Sequence, residues 1–376
     1  MYRASSSLHH STLEPYGEES ASATHYTPNS YLWPQLPRQQ DSDWLSQKLL
    51  AKNGDPMTKT GLAIWLFSLE RDMDAQTAFA SLDGDCLIIP QAGALDIQTE
   101  LGHLLVRQNE IAVIPCGIRY RVLLPAGPTR GYICEIYQGH FQLPELGAIG
   151  STGLANVRDF QVPTAFFDGA VDDGKAVAND AQWSIVTRQN GRLWKCEQDH
   201  TPFDVAAWHG TNHPYKYDLG RFCVMGNMLF DEHDPSLYVV MTVPTNREVG
   251  TAVVDFAIIP PRYSVAEDTL WIPYYHRNTM TEFFGPIVNS QDPAFPFNKT
   301  KTFAPFVAAM NGPMKTHGAT DDEHHDATTQ DLTPRKVMNE GLSMFLLETE
   351  NPLYLTDWAT KAAAINPFTK RPKAKL

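Results

Sequence analysis

Residues 273–285 read PYYHRNTMTEFFG, placing a histidine, His276, and a carboxylate, Glu282, inside a run of Tyr, Phe and Met of the kind that fills a core. On one straight strand the two side chains would stand about 20 Å apart, at roughly 3.3 Å per residue, too far to share an ion. On a helix they would point to different faces. Only a chain that turns between them, a strand end folding into its neighbour, brings both to a common centre. The stretch therefore asks for a β architecture around it.

The flanking text agrees. LAIWLFSL, CLIIPQAGALDIQT, HLLVRQNEIAVIP, YRVLL and GYICEIY alternate or run apolar over short lengths, punctuated by Gly, Pro or Asp, which is the signature of an antiparallel sandwich or barrel. Gly84, Gly102 and Gly117 fall where a hairpin needs positive φ or close backbone approach. A second strand-rich block opens near Phe222 and runs through MLFDEHDPSLYVVMTVP, GTAVVDFAIIPPRY and LSMFLLETENPLYL. Two successive all-β halves suggest a duplicated jelly-roll plan. The expected fold is all-β, a sandwich in the N-terminal half and a jelly roll in the C-terminal half. Residues 1–55, rich in Ser, Pro and Gln, read as a polar, mobile or wrapped arm, with order beginning near Gly61. The sandwich and a loop-rich extension would occupy 56–220 and the jelly roll 221–376, with one short helix at Arg335–Glu340.

Composition removes several function classes. Thirty Lys and Arg against 43 Asp and Glu give a formal charge of −13, which repels phosphate backbones and anionic membranes, so nucleic acid is not an expected partner. No signal-peptide core and no membrane-length apolar run is present; the expected setting is the cytoplasm. The five cysteines are odd in number and widely spaced, which suits buried reduced thiols over a disulfide framework or a CxxC metal site. Nucleotide-binding loops, a serine-hydrolase elbow and HExxH are absent.

His276, Asn278 and Glu282 form H-x-N-x3-E, which resembles the first cupin motif, H-x-H-x3-E, with asparagine at the second histidine. MKTHG, at 314–318, supplies His317 on what reads as a returning strand. Two imidazoles and one carboxylate make a facial triad suited to Fe(II), because it leaves adjacent coordination positions open. A lone histidine beside two tyrosines also fits a plain core residue, so spacing alone leaves both alternatives standing. The cluster DDEHHD at 321–326 reads as a solvated turn. His209 and His213 are four apart, but the Gly and Pro around them argue against a helix presenting both; they read as a pocket-wall or interface segment.

From about Gly61 onward, the colinear segments GLAIWLF, DGDCLIIPQAGALDIQTELG, NEIAVIPCGIRY, RGYICEIY, GLANVRDF, AWHGTNHPYKYDL, FAIIPPRY and PYYHRNTMTEFFG resemble the homogentisate 1,2-dioxygenase family. The resemblance implies Fe(II) bound by His276, Glu282 and His317, a small aromatic substrate and O2 as partners, and ring opening of homogentisate to maleylacetoacetate in tyrosine and phenylalanine breakdown. It also implies an N-terminal β-sandwich domain with a cupin-like jelly roll C-terminal domain, and a homo-oligomer, a trimer or hexamer. Departures sit around the iron shell. The family's FDH-x-DPS reads FDEHDPS here, so Glu232 or His233 takes the place of an acid–base histidine. Ser290 and Gln291 stand where the family has a His-Tyr pair, and Asn311 replaces a pocket histidine. Substrate contacts are expected at Gln291, Asn311 and His317. The text before Gly61 reads as unrelated to the family. Two alternatives accompany this expectation: a diverged ring-cleaving dioxygenase with another aromatic substrate, and a non-catalytic cupin binding protein.

Overall fold

The strand Gly102–Arg107 shows why these segments fold as they do: alternate residues are buried while His103 and Arg107 face water, the two-residue period of a sheet with one covered face. The computed structural model describes residues 26–34, 36, 38–144, 153–164, 171–172, 175–176, 182–205, 210, 212–224, 237–247, 251–263, 276–287, 308–318, 325, 329, 331, 333, 336–337 and 343–365. Strands dominate these residues, as the sequence predicts.

Two compact units divide the chain, neither continuous in sequence. One contains Pro37–Phe141 and Asn156–Arg221, and the other Met1–Leu36, Gln142–Ala155 and Phe222–Leu376. The first unit is a sandwich. One sheet runs in the order Tyr215–Asp218, Glu110–Ile114, Asp85–Ala92, Thr129–Ile136, Thr60–Leu69 and Lys48–Asp55. The other runs Arg192–Gln198, Trp183–Gln189, Thr77–Ser81, Tyr120–Leu123, Ala94–Thr99 and Gly102–Arg107. Inward residues of both sheets, among them Phe67, Ile88 and Ile133 from one and Phe79, Ile97 and Val122 from the other, form one buried cluster, the interleaved core of a face-to-face packing. Trp183–Gln189 pairs with Thr77–Ser81 in parallel, an exception to the antiparallel plan. The three glycines behave as expected: Gly102 and Gly117 have φ of 123° and 84°, and a Cβ on Gly84 would collide with the Ile136 carbonyl.

The second unit is built on an antiparallel sheet ordered Tyr238–Pro244, Ala252–Ile259, Met344–Thr349, Thr281–Pro286, Ala308–Asn311, Tyr31–Trp33 and Ala364–Ile365. The described part of the presumed arm is therefore structured. Tyr31, Leu32 and Trp33 pair with Met310, Ala309 and Ala308, and all three are buried; Lys48–Asp55 is a strand of the other unit. Order begins well before Gly61. The loop-rich middle likewise contains the hairpin of Trp183–Gln189 with Arg192–Gln198. In place of a helix at Arg335–Glu340, Lys336 and Val337 pair with Tyr263 and Arg262 in a short antiparallel ladder. Asp357–Ala362 forms a short α-helix. Of the free cysteines only Cys86 and Cys134 are buried; Cys116, Cys196 and Cys223 are exposed.

Candidate metal centre

Glu282 is the second residue of Thr281–Pro286, and its approach is shaped by a turn. Asn278 Oδ1 accepts from the Met280 backbone N–H at 3.1 Å, and the Asn278 carbonyl accepts from the Met314 N–H at 2.7 Å. The first bond bends the chain between His276 and the strand, and the second ties it to the returning segment. His276 and His317 then meet across an isolated antiparallel bridge, exchanging both backbone hydrogen bonds at 3.0 Å. Residues paired in this way project to the same face. Their rings lie 4.3 Å apart between centroids, inclined at 62°.

The spacing problem in PYYHRNTMTEFFG is thus solved by a turn and a bridge. One potential ligand atom from each of His276, Glu282 and His317 lies within 4.8 Å of the others. Among the described residues no other such group of His, Cys, Asp or Glu occurs.

The protonation pattern fits a cation. His317 Nδ1 is 2.8 Å from the Lys315 carbonyl oxygen; a carbonyl only accepts, so Nδ1 carries hydrogen and the neutral ring keeps its lone pair on Nε2. That Nε2 is buried and lacks an aligned hydrogen bond, yet stands 2.9 Å from Glu282 Oε2. The short separation marks charge proximity without hydrogen-bond geometry. Two lone-pair atoms held face to face require a proton or a metal between them. A backbone carbonyl behind the imidazole is also the usual way in which a metal-binding histidine is oriented.

The carboxylate is held on both oxygens. Asn278 Nδ2 donates to Oε1, and Asn311 Nδ2 faces Oε2 at 3.4 Å. Burial pushes the Glu282 carboxyl up, but the nearby His317, with both asparagine amides, outweighs it and leaves it below the usual range. Burial pushes His317 down, and Glu282 with the Lys315 carbonyl more than reverses that. Glu282 is directly opposite Asn311 on one neighbouring strand and Glu348 on the other, and Glu348 is opposite Asp255 one strand further on. Burial, then the charges of Glu282 and Asp255, push Glu348 up to about 7. This concentration of acid beside two imidazoles favours a bound cation.

Of the other expected site residues, Asn311 is buried beside Glu282, while Glu232, His233, Ser290 and Gln291 lie outside the described residues. His209 also lies outside them, as does all of DDEHHD except His325, which is exposed. The carboxylates Glu348 and Asp255 and the hydroxyl of Ser30 escaped the sequence reading, because nothing local marks them; only strand register brings them to Glu282.

Comparison with known proteins then fixes the relationship. A family model described as homogentisate 1,2-dioxygenase N-terminal matches residues 1–219, and one described as homogentisate 1,2-dioxygenase C-terminal matches residues 220–370. The chain belongs to the homogentisate 1,2-dioxygenase family. A homogentisate 1,2-dioxygenase of Emericella nidulans is 47% identical over 361 residues, covering 93% of this chain and 77% of that protein. One of Caenorhabditis elegans is 40% identical over 368 residues, covering 96% and 80%. Among solved structures, a cupin 2 conserved barrel domain protein from Leptotrichia buccalis covers 84% of this chain and 88% of that one at 8% identity, with a TM-score of 0.28, too slight a likeness to argue from. The family match begins at residue 1, which corrects the expectation that the text before Gly61 is unrelated. It also removes the support that this text lent to a non-catalytic binding protein. As a family member the chain is an oxidoreductase of the dioxygenase class.

Proposed function

We propose that this chain is an Fe(II)-dependent homogentisate 1,2-dioxygenase, holding iron through His276, Glu282 and His317. The observation that carries this reading is the buried His317 Nε2, turned by its Nδ1 hydrogen bond toward Glu282 and left without an aligned partner. Ring opening of homogentisate to maleylacetoacetate breaks one ring C–C bond and places both atoms of O2 in the product, with no outside reductant. Bound Fe(II) would supply adjacent open positions where substrate oxygen and O2 meet.

The chain's own part is positioning and proton handling. The His276–His317 bridge fixes the distance between two nitrogen donors, and the Lys315 carbonyl fixes the tautomer of one. Asn278 restrains Glu282 from its own strand. In this reading Glu232 or His233 takes the phenolic proton, and Gln291 and His317 stand beside the substrate. Asn311 serves the carboxylate, for the reason its hydrogen bonds give below. The proposal includes a division near residue 220 between an N-terminal part and the part that binds iron, a homotrimeric or hexameric assembly, and a cytoplasmic setting. No helix among the described residues is long and apolar enough to cross a membrane.

A second reading keeps Fe(II) and ring cleavage but changes the aromatic substrate. It is favoured by Asn311, an amide where the family resemblance implies an imidazole. One experiment separates the two: anaerobic reconstitution with Fe(II), followed by oxygen uptake on homogentisate, gentisate and simple hydroquinones. Turnover of homogentisate supports the first reading; turnover of another ring alone supports the second. His276→Ala, Glu282→Ala and His317→Ala should each lose bound iron while retaining a β-type far-UV spectrum. A wild-type chain that takes up no Fe(II) would defeat both.

A further inference from the structure

Asn311 sits where the sequence predicts a substrate contact, but both ends of its amide are engaged by the protein. Its Oδ1 accepts from the Ser30 hydroxyl at 2.8 Å in a buried hydrogen bond spanning 281 positions of sequence. A carboxylate only accepts, so the NH2 must be the end that faces it, and Nδ2 stands 3.4 Å from Glu282 Oε2 with the oxygen left to the Ser30 donor. Register enforces the arrangement. Asn311 is directly opposite Glu282, and Ser30 immediately precedes Tyr31, which is paired with Met310.

We infer that Ser30 and Asn311 are positioning residues that orient the Glu282 carboxylate for its metal, an inference that rests on the metal-site reading above. Asn278 and Asn311 approach Glu282 from two directions, one on each oxygen. Both are neutral donors. They fix the plane of the carboxylate without cancelling its charge, whereas a cation in the same place would compete with the metal. The carboxylate itself disfavours a flipped amide, and the Ser30 hydroxyl anchors the Asn311 oxygen, so the side chain is held in place beside Glu282. A segment near the amino end of the chain thereby takes part in holding a ligand from the C-terminal half.

The test is an anaerobic Fe(II) titration against a chromophoric chelator, on the full chain and its variants, with steady-state oxygen uptake on homogentisate beside it. Asn311→Ala should weaken Fe(II) binding by about 10- to 100-fold, the usual cost of losing a group that orients a metal ligand, with KM for homogentisate within about twofold. Ser30→Ala should weaken Fe(II) in the same sense, and Ser30→Thr, which keeps the hydroxyl, should restore it. If the two residues act in series, the double variant binds Fe(II) no more weakly than Asn311→Ala alone, to within about twofold. Unchanged Fe(II) affinity in Asn311→Ala with a raised KM overturns the inference in favour of a direct substrate contact. Should Asn311→Ala fail to fold, Ser30→Ala decides, and an unchanged affinity there overturns it equally. Loss of Fe(II) binding by the wild type strikes the metal-site reading itself; wild-type binding matched by every variant strikes this inference alone.

Discussion

At Gly131 the strand Thr129–Ile136 has no room for a methyl group: a Cβ would stand 2.1 Å from the Ile89 carbonyl oxygen and 2.6 Å from the Phe67 ring. Backbone cannot yield as a flexible side chain can, so Gly131→Ala should destabilise the protein by ~3 kcal/mol, read from the urea midpoint. Arg188 makes the opposite demand, since its charge needs the company it has. It lies buried, 3.1 Å from Glu135 Oε1 and 2.7 Å from Gln47 Oε1, with its guanidinium 4.1 Å above the Trp65 ring. Arg188→Met should cost ~3–5 kcal/mol by leaving Glu135 without its counter-charge, and pairing it with Glu135→Leu should recover most of that. Chemical denaturation of the three proteins checks both statements. His276, Glu282 and His317 were legible because ligand residue types stand out in apolar text. Arg188 and Glu135 were not, since a buried ion pair is recognised only when its partner, 53 positions away, is known to be adjacent.

Across the sheet that carries Glu282, that residue, Glu348 and Asp255 stand in register on three successive strands, Thr281–Pro286, Met344–Thr349 and Ala252–Ile259. Burial raises Asp255, with a Thr242 hydrogen bond opposing it, and Glu348 reaches about 7 from a model-peptide value of 4.5. The sign follows directly. A carboxyl raised on folding binds more protons in the folded chain than in the unfolded one, so its cost is absent below about 4.5 and complete above about 7. Stability of the metal-free protein should therefore fall as pH rises through that window, by at most ~1.4 kcal/mol per pH unit for each such proton. Glu348→Gln should flatten the slope, and urea titrations at pH 5, 6, 7 and 8 would show it; an unchanged slope would assign the effect elsewhere. Alternation revealed most of these strands. It could not reveal Tyr31–Trp33, where three consecutive residues are buried on both faces within polar text, nor the ladder at Lys336–Val337, too short to display any period.

For the molecule as a whole, the all-β class was readable from strand text, because punctuated apolar runs have no helical alternative. Each compact unit is assembled from segments far apart in sequence. Trp33 shows the consequence: fully buried, it donates from Nε1 to the Ala359 carbonyl at 2.7 Å and packs on Phe283 at 6.1 Å between ring centroids. Trp33→Ala should cost ~3–5 kcal/mol and speed amide exchange in Ala308–Asn311, measurable by mass spectrometry. The pairing of Tyr31–Trp33 with Ala308–Asn311 also sets a timetable. At ~5–20 residues per second of translation, the early strand waits about 15–55 s on the ribosome before its mate is made. Through that interval its aromatic side chains have no neighbouring strand to cover them, and the cluster of His276, Glu282 and His317 cannot assemble until His317 itself has been made.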